Sequence, residues 1–477
     1  MDKKVIKNYL YNISYQLLVI ILPLITTPYV SRVLGAKGIG TYGYTNSITQ
    51  YFILFGCIGL NLYGQREIAY YQKDIDKRSK VFFELLILRI FTVSISIILY
   101  YFTFCQNKTY GFIFSIQIID VIASMFDISW LYQGMEDFKK IVIRNTLVKI
   151  CGLIIIFTFV KAQSDLPLYV LSYSITLLFG NLSMWMYLPK FVKKVKLNTL
   201  NINKHIRPTI VLFLPQIATS VYTMLDKTMI GALTGNTAEV GYYEQSQKII
   251  KMAMTLATSL GTVMLPRAAN MYKEGKMNEV RESMYTSFQF ISFLAFPLCF
   301  GLIGISKGFV PWFFGNGYEK VVLNMVIISP IIIIIGYGNV VGTQFLLPTG
   351  RQKKYTVAVC VGMIVNLLLN LVLIPRFLSY GAAVATLIAE TSVTLSQVYF
   401  IRSFFRLKKM IINIYKYIIS SIMMLCCILL VSKIMPIGII YTMIEIVIGI
   451  IVYFGVLIIL KDKSLMMFLN RIFKKKG

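Results

Sequence analysis

The sequence predicts an all-α polytopic membrane protein of about fourteen helices, and three observations carry that reading. Of its 477 residues, 57% are hydrophobic and only 14% charged, with a mean hydropathy of +0.70. A soluble domain needs far more charge to cover its surface. The apolar residues come in blocks of about twenty, the length a helix needs to cross hydrocarbon. Lysine and arginine crowd alternate connections, as in a chain threaded repeatedly with its basic loops on the cytoplasmic side.

Taken in order, the first six spans are expected near 9–31, 42–64, 81–104, 110–133, 141–160 and 167–188. Six more follow near 209–234, 242–266, 285–306, 321–346, 355–374 and 380–401, and a last pair near 411–432 and 437–460. The opening segment has the basic head and apolar body of a secretory signal. It is too long for one, lacks a small-residue cleavage site and precedes many spans, so it reads as a retained first helix. Connections such as "FKKIVIR", "PKFVKKVKLNTLNINKHIR" and "GRQKK" are basic, whereas "LTGNTAEVG" and "IPRFLSYG" are nearly free of basic residues. Both termini are therefore expected in the cytoplasm. The net charge of +28 follows from this topology, and nucleic-acid binding is not expected. The seven cysteines show no CxxC spacing and read as small apolar core residues. The single histidine, His205, reads as a solvated loop residue.

The chain repeats itself. "LPLITT" (Leu22 to Thr27) matches "LPQIAT" (Leu214 to Thr219). "IGTYGYTNSI" matches "VGYYEQSQKI", aligning Gly40 with Gly241, Tyr42 with Tyr243 and Ile48 with Ile249. "GMEDFKK" (Gly134 to Lys140) matches "GRQKK" (Gly350 to Lys354) more weakly. The order is preserved, and six spans separate the copies. An even number keeps orientation, so two parallel halves related by an axis along the membrane normal are expected. The boundaries are then an N-terminal lobe over 1–188, a cytoplasmic linker over 189–208, a C-terminal lobe over 209–401, and an appended hairpin with a basic tail over 402–477.

Polar residues inside the spans fall on single helical faces. Glu244, Lys248, Lys251, Thr255, Thr258 and Thr262 recur at steps of four and three in the eighth span. Gln117, Asp120, Ser124 and Asp127 do so in the fourth span, Thr219, Thr223 and Asp226 in the seventh, and Asn12, Gln16, Pro23 and Thr27 in the first. Such stripes face a bundle interior or a wet cavity, because charge facing lipid is costly. Asp226 and Lys227 are adjacent and point about 100° apart, so they do not pair with each other. By depth, Asp226 is expected to pair with Lys251. Arg89, Asp127 and Lys149 share a depth in the first half and form a second expected cluster. The alternative for each cluster is that it merely pins helices together.

"LITTPYVSRVLGAKGIGTYGYTNSI", "YTMLDKTMIGALTGNTAEVGYYEQSQKI" and "LLPTGRQKKYTVAVCVGMIVNLLLNLVLIP" resemble the Wzx-type polysaccharide-unit flippases of the multidrug/oligosaccharidyl-lipid/polysaccharide (MOP) superfamily. The resemblance runs over nearly the whole chain. It implies two six-helix lobes around a central cavity open alternately to either side, in a multi-pass protein of the bacterial plasma membrane. The implied cargo is an oligosaccharide repeat unit on undecaprenyl pyrophosphate, flipped for capsule or exopolysaccharide assembly. It further implies that Arg32, Lys227, Lys248 and Lys251 hold the pyrophosphate, with Asn12, Gln16 and Asn46 on the cavity wall. The appended hairpin resembles the extra pair of lipid II flippases, which borders a groove for the lipid tail. Membrane lipids, a polysaccharide polymerase and chain-length machinery are the implied partners.

The chief rival is a drug exporter like the MATE proteins, cation-coupled and built around carboxylates such as Asp120, Asp127 and Glu390. Lys248 and Lys251 argue against it. An enzyme is not expected: no connection much exceeds about 20 residues, and no GxxxxGK[ST] phosphate loop occurs. No cofactor is expected. H+ or Na+ coupling through Asp120, Asp127, Asp226 or Glu390 and drive by the membrane potential both stay open.

Overall fold

The computed structural model describes residues 3–406, 409–410, 412, 414–462 and 465–466, with side chains from residue 21 on except at 214–215, 218–219, 222, 259–263 and 266. Asn12, Gln16, Thr219 and Thr262 therefore lie outside the residues whose side chains are described, as does the end of the basic tail. Every described element is helical. Nine stretches among the described residues are long and apolar enough to cross a membrane.

Helix α1, Lys3–Cys57, carries two expected spans and breaks at Gly35, whose φ of 66° favours a residue without a Cβ. The chain then turns through Ile58 and Gly59, both at positive φ, into α2, Leu60–Tyr70. Helix α3, Ile75–Tyr100, starts where the Lys77 N–H donates to the Asp74 carboxylate at 3.0 Å. That hydrogen bond holds the Asp74 carboxyl below the usual carboxylate range. Next come α4, Gly111–Met125, α5, Ser129–Gly134, α6, Phe138–Phe159, and α7, Leu166–Trp185. Phe82 and Trp130 stack at 5.4 Å in the core of this bundle.

The expected linker is docked. Arg78 donates to the Phe191 carbonyl at 2.8 Å, the Lys193 N–H to Ser79 at 2.9 Å, and the Asn201 N–H to Glu84 at 2.7 Å. It leads into α8, Asn203–Thr234. His205 corrects the sequence reading. It is only 2% exposed, with Nε2 2.8 Å from Glu84 and Nδ1 2.7 Å from the Tyr63 hydroxyl. Lys204 adds an ion pair to the same carboxylate at 2.7 Å. A loop-like composition cannot reveal such a site, because its acid, Glu84, lies 121 residues away.

Contacts gather the chain into two compact units, residues 1–232 with 236–241, and 233–235 with 242–477. By this division α8 packs with the first unit, whereas the repeat boundaries begin the second half at 209. Gly231 explains the grouping: a Cβ there would lie 2.1 Å from the Tyr44 ring, and the Ser47 and Thr228 hydroxyls meet at 2.8 Å. The first turns of α9, Thr237–Lys273, also belong to this unit. Here the glycines aligned by the repeat meet. A Cβ on Gly40 would sit 1.6 Å from the Thr237 carbonyl oxygen, and one on Gly241 2.2 Å from that of Ala36. Each glycine faces the carbonyl four residues before the other, the reciprocity a two-fold axis produces. Small residues at this spacing let membrane helices cross backbone to backbone.

The second unit contains α10, Met277–Phe314, α11, Glu319–Ile328, and α12, Ile331–Val341. The 50-residue α13, Gln352–Ile401, carries two expected spans that reverse at Leu378 (φ 54°). Next to the reversal, a Cβ on Gly381 would lie 2.4 Å from the Leu373 carbonyl. The appended pair, α14, Ile414–Val431, and α15, Ile439–Ile459, docks on α10. Tyr453 donates to the Phe293 carbonyl and Trp312 to the Thr442 hydroxyl, both at 2.8 Å.

Candidate functional site: a polar cavity and an apolar groove

The first unit encloses a cavity of about 360 Å³. Pro23 and Thr26 from the first arm of α1, and Tyr42, Asn46 and Gln50 from its second arm, form one wall. Asp120 of α4, Lys149 of α6, and Tyr173 and Thr176 of α7 form the other. The second-arm residues recur at steps of four, one helical face, and Gln50 donates to Asn46 at 3.4 Å. Tyr42 packs edge-on against Tyr169 at 5.2 Å and parallel to Tyr173 at 5.9 Å. A buried polar layer continues beside it: Thr49 meets the Tyr100 hydroxyl at 2.8 Å and donates to Gln117 at 3.1 Å. Carboxylate, amine, amides and phenol rings in one membrane-buried space suit a hydroxyl-rich ligand, since tyrosines offer both an apolar face and a hydrogen-bonding tip.

Asp120, Lys149 and Asn46 were thus brought together from three different sequence arguments. The expected cluster of Arg89, Asp127 and Lys149 is instead divided. Arg89, fully buried, donates to the Ser124 carbonyl at 2.7 Å, to Asn61 at 2.8 Å and to the Cys57 sulfur at 3.4 Å. Asp127 accepts from the Ser129 N–H at 2.9 Å, at the start of α5, and faces Arg144 at 3.7 Å. Equal depth along two helices does not fix which way each side chain points. Tyr42, Gln50, Tyr173 and Thr176 were missed; the four-residue steps from Tyr42 to Asn46 to Gln50 were the signal that could have found two of them.

The second unit holds a groove of about 380 Å³ with a different lining. Phe293, Pro297 and Gly301 of α10 face Met424 and Ile428 of α14 and Gly449 of α15 across it. Almost nothing polar reaches it, and the appended hairpin supplies one side.

The family model described as "Polysaccharide biosynthesis protein" matches residues 5–272, more than half of the chain. The chain belongs to that family. It is a Wzx-like flippase, a multi-pass membrane protein and not an enzyme. A candidate O-antigen transporter of Escherichia coli (strain K12) is 26% identical over 391 residues, covering 80% of this chain and 93% of that protein. The lipid II flippase MurJ of Bacillus subtilis (strain 168) is 25% identical over 143 residues, 29% of this chain and 26% of that protein. In fold, the chain is similar to a lipid II flippase MurJ in an inward closed conformation, with TM-score 0.77, 17% identity, and coverage of 97% of this chain and 100% of that one. An inward-facing MATE multidrug transporter of the MOP superfamily gives TM-score 0.61 at 12% identity, over 80% and 93% of the two chains.

Within this flippase, the remaining predicted residues occupy several helices. Asp226 is buried and Lys227 half-buried on α8, Lys248 is half-buried and Lys251 exposed on α9, Arg32 is exposed on α1, and Glu390 is half-buried on α13. Asp226 belongs to the first unit and Lys251 to the second. On α9, Thr255 and Thr258 donate to carbonyls four residues back, at 2.8 and 3.0 Å, so their hydroxyls are satisfied within the helix.

Proposed function

We propose that this flippase translocates undecaprenyl-pyrophosphate-linked oligosaccharide repeat units from the cytoplasmic to the outer leaflet, for capsule or exopolysaccharide assembly. The reading is carried by the cavity: Asp120, Lys149, Asn46 and Gln50 with Tyr42 and Tyr173 offer hydrogen bonds and ring faces to sugars. Names of relatives that denote O-antigen transport and lipid II flipping support the same cargo class. Two parallel six-helix lobes, with termini on the cytoplasmic side, alternate access to the path. Arg32, Lys227, Lys248 and Lys251 hold the pyrophosphate, which could not cross bare hydrocarbon. The apolar groove against the appended hairpin receives the polyprenyl tail. Asp226 and Lys251 pair in one state of the cycle, and Asp120, Asp226 or Glu390 carries the coupling H+ or Na+. Asp127, tied to Arg144 and α5, is left with a structural role.

The test is transport in proteoliposomes carrying a short oligosaccharide on undecaprenyl pyrophosphate, read by protection from an external sugar-modifying enzyme. Protein-dependent flipping is expected, and a Lys248→Ala/Lys251→Ala variant should lose it. Flipping that survives in that variant moves the pyrophosphate site elsewhere. No flipping, with extrusion of a cationic dye from parallel vesicles, would replace this reading with a drug exporter that uses Asp120.

A further inference from the structure

A second polar pocket, of about 400 Å³, lies in the first unit where α6 begins and α7 ends. Lys139, Lys140 and Arg144 line it together with Asp137, Ser183 and Tyr187. It is separate from the sugar-facing cavity: the two share no lining residue. Each cation but one is answered. Lys140 is ion-paired with Asp137, and its ammonium sits over the Phe191 ring at 4.4 Å and the Tyr187 ring at 5.4 Å. Arg144 donates to Asn181 at 2.6 Å and faces Asp127 at 3.7 Å. Among the described residues, the exposed Lys139 has no carboxylate partner. The pocket therefore offers a preformed, partly dry cationic corner that favours an anion.

What lies next to this corner identifies the anion. Helix α6 buries the least of the nine candidate spans. Ile143, Leu147, Ile150 and Ile154 are 44%, 56%, 39% and 56% exposed. Their spacing of four, three and four makes one continuous apolar stripe that starts at the pocket and runs up the helix. A soluble phosphate would engage the cations alone. A lipid phosphate uses both, its headgroup among the lysines and its chain along the stripe. The pocket also lies between "FKKIVIR" and "PKFVKKVK", two of the most basic connections, where anionic headgroups gather. The repeat copies the arrangement: in the second unit Lys354, aligned with Lys140, sits 6.0 Å from the Phe400 and Phe404 rings, and Arg351 lies 4.3 Å from Phe404.

We propose that the α6–α7 corner, with Lys139, Lys140 and Arg144 above the Ile143–Ile154 stripe, binds the phosphate headgroup of an anionic membrane lipid. Two sources share this chemistry, a bulk phospholipid such as phosphatidylglycerol and a polyprenyl diphosphate. The full chain, purified in a neutral detergent, is incubated with phosphatidylglycerol, phosphatidylethanolamine or undecaprenyl pyrophosphate, and retained lipid is counted by native mass spectrometry. Retention of at least one of the two anionic lipids over phosphatidylethanolamine is expected. Lys139→Gln/Lys140→Gln should lower it about fivefold, and Lys139→Arg/Lys140→Arg should keep it. Loss confined to phosphatidylglycerol assigns the site to bulk lipid, and loss confined to the diphosphate makes it a docking site for cargo outside the cavity. Equal retention by wild type and the glutamine variant, for both anionic lipids, overturns the proposal. If the double variant melts lower than wild type, the exposed Lys139→Gln alone decides between the same outcomes.

Discussion

The cavity of the first unit and the groove of the second are nearly equal in volume, about 360 and 380 Å³, and opposite in chemistry. Both lie among membrane helices. The cavity gathers a carboxylate, an amine, two amides and tyrosine hydroxyls, while the groove is lined by leucine, isoleucine, methionine, phenylalanine, proline and glycine with one tyrosine, Tyr453. Polar groups inside a membrane bundle are costly unless they are used, and an apolar groove gains nothing from helix packing that lipid would not give as well. The contrast suits a cargo with a hydroxyl-rich head and a hydrocarbon tail, each handled by a separate surface.

The largest effect should come from breaking the frame of the cavity. Gly40→Val would drive side-chain atoms into the Thr237 backbone, which cannot move like a side-chain tip. Loss of folded protein, measured by monodispersity after extraction, is the expected outcome, while an exposed-surface control such as Lys108→Ala extracts normally. Next, Lys149→Ala or Asp120→Asn should lower flipping by about tenfold or more, roughly 1.4 kcal/mol of transport barrier, with unchanged thermal stability. An unchanged rate in both would empty the cavity of its role.

A control outside both concavities follows. Glu84→Gln removes the charge that His205 and Lys204 share, and should cost about 3 kcal/mol of stability by thermal unfolding in detergent. The lining of the cavity is untouched, so the flipping rate of the protein that stays folded should hold. Smaller again, Gly301→Leu should fill the groove, since a Cβ there meets only Met424, at 3.6 Å. Flipping should fall a few-fold, roughly 1 kcal/mol, for the long polyprenyl cargo and not for a short-tailed analogue. Equal slowing of both would separate the groove from the tail. The smallest change is Tyr173→Phe, which keeps the ring and removes one hydroxyl. About a twofold rise in the apparent KM for glycan is expected, against a larger rise for Tyr173→Ala.

Much of the architecture was legible in the sequence because membrane spans announce themselves. Among the described residues the expected spans fall on helices, nine stretches of which are long and apolar enough to cross a membrane, and the repeat pairs that aligned Gly40 with Gly241 named two residues that touch. The candidate site was only partly legible. Asp120 was named by periodicity and Asn46 through the resemblance, but depth had joined Lys149 to Arg89 and Asp127, whereas Lys149 lines the cavity and Arg89 is held by Ser124, Asn61 and Cys57. Depth is a one-dimensional coordinate, whereas an arginine chooses partners by direction.

By itself, the sequence determined the membrane class, the helical periods, the basic connections and the pairing of repeats. These are local properties, set by runs of apolar residues and by spacing along a single helix. Only the tertiary structure decided that α8 packs with the first unit, that His205 is sealed beneath Glu84 and Tyr63, and that Tyr42 and Tyr173 face one cavity. Each of those depends on which faces of distant helices meet, and backbone contacts such as that of Gly40 with Thr237, 197 residues apart in the sequence numbering, leave no period in the chain to read.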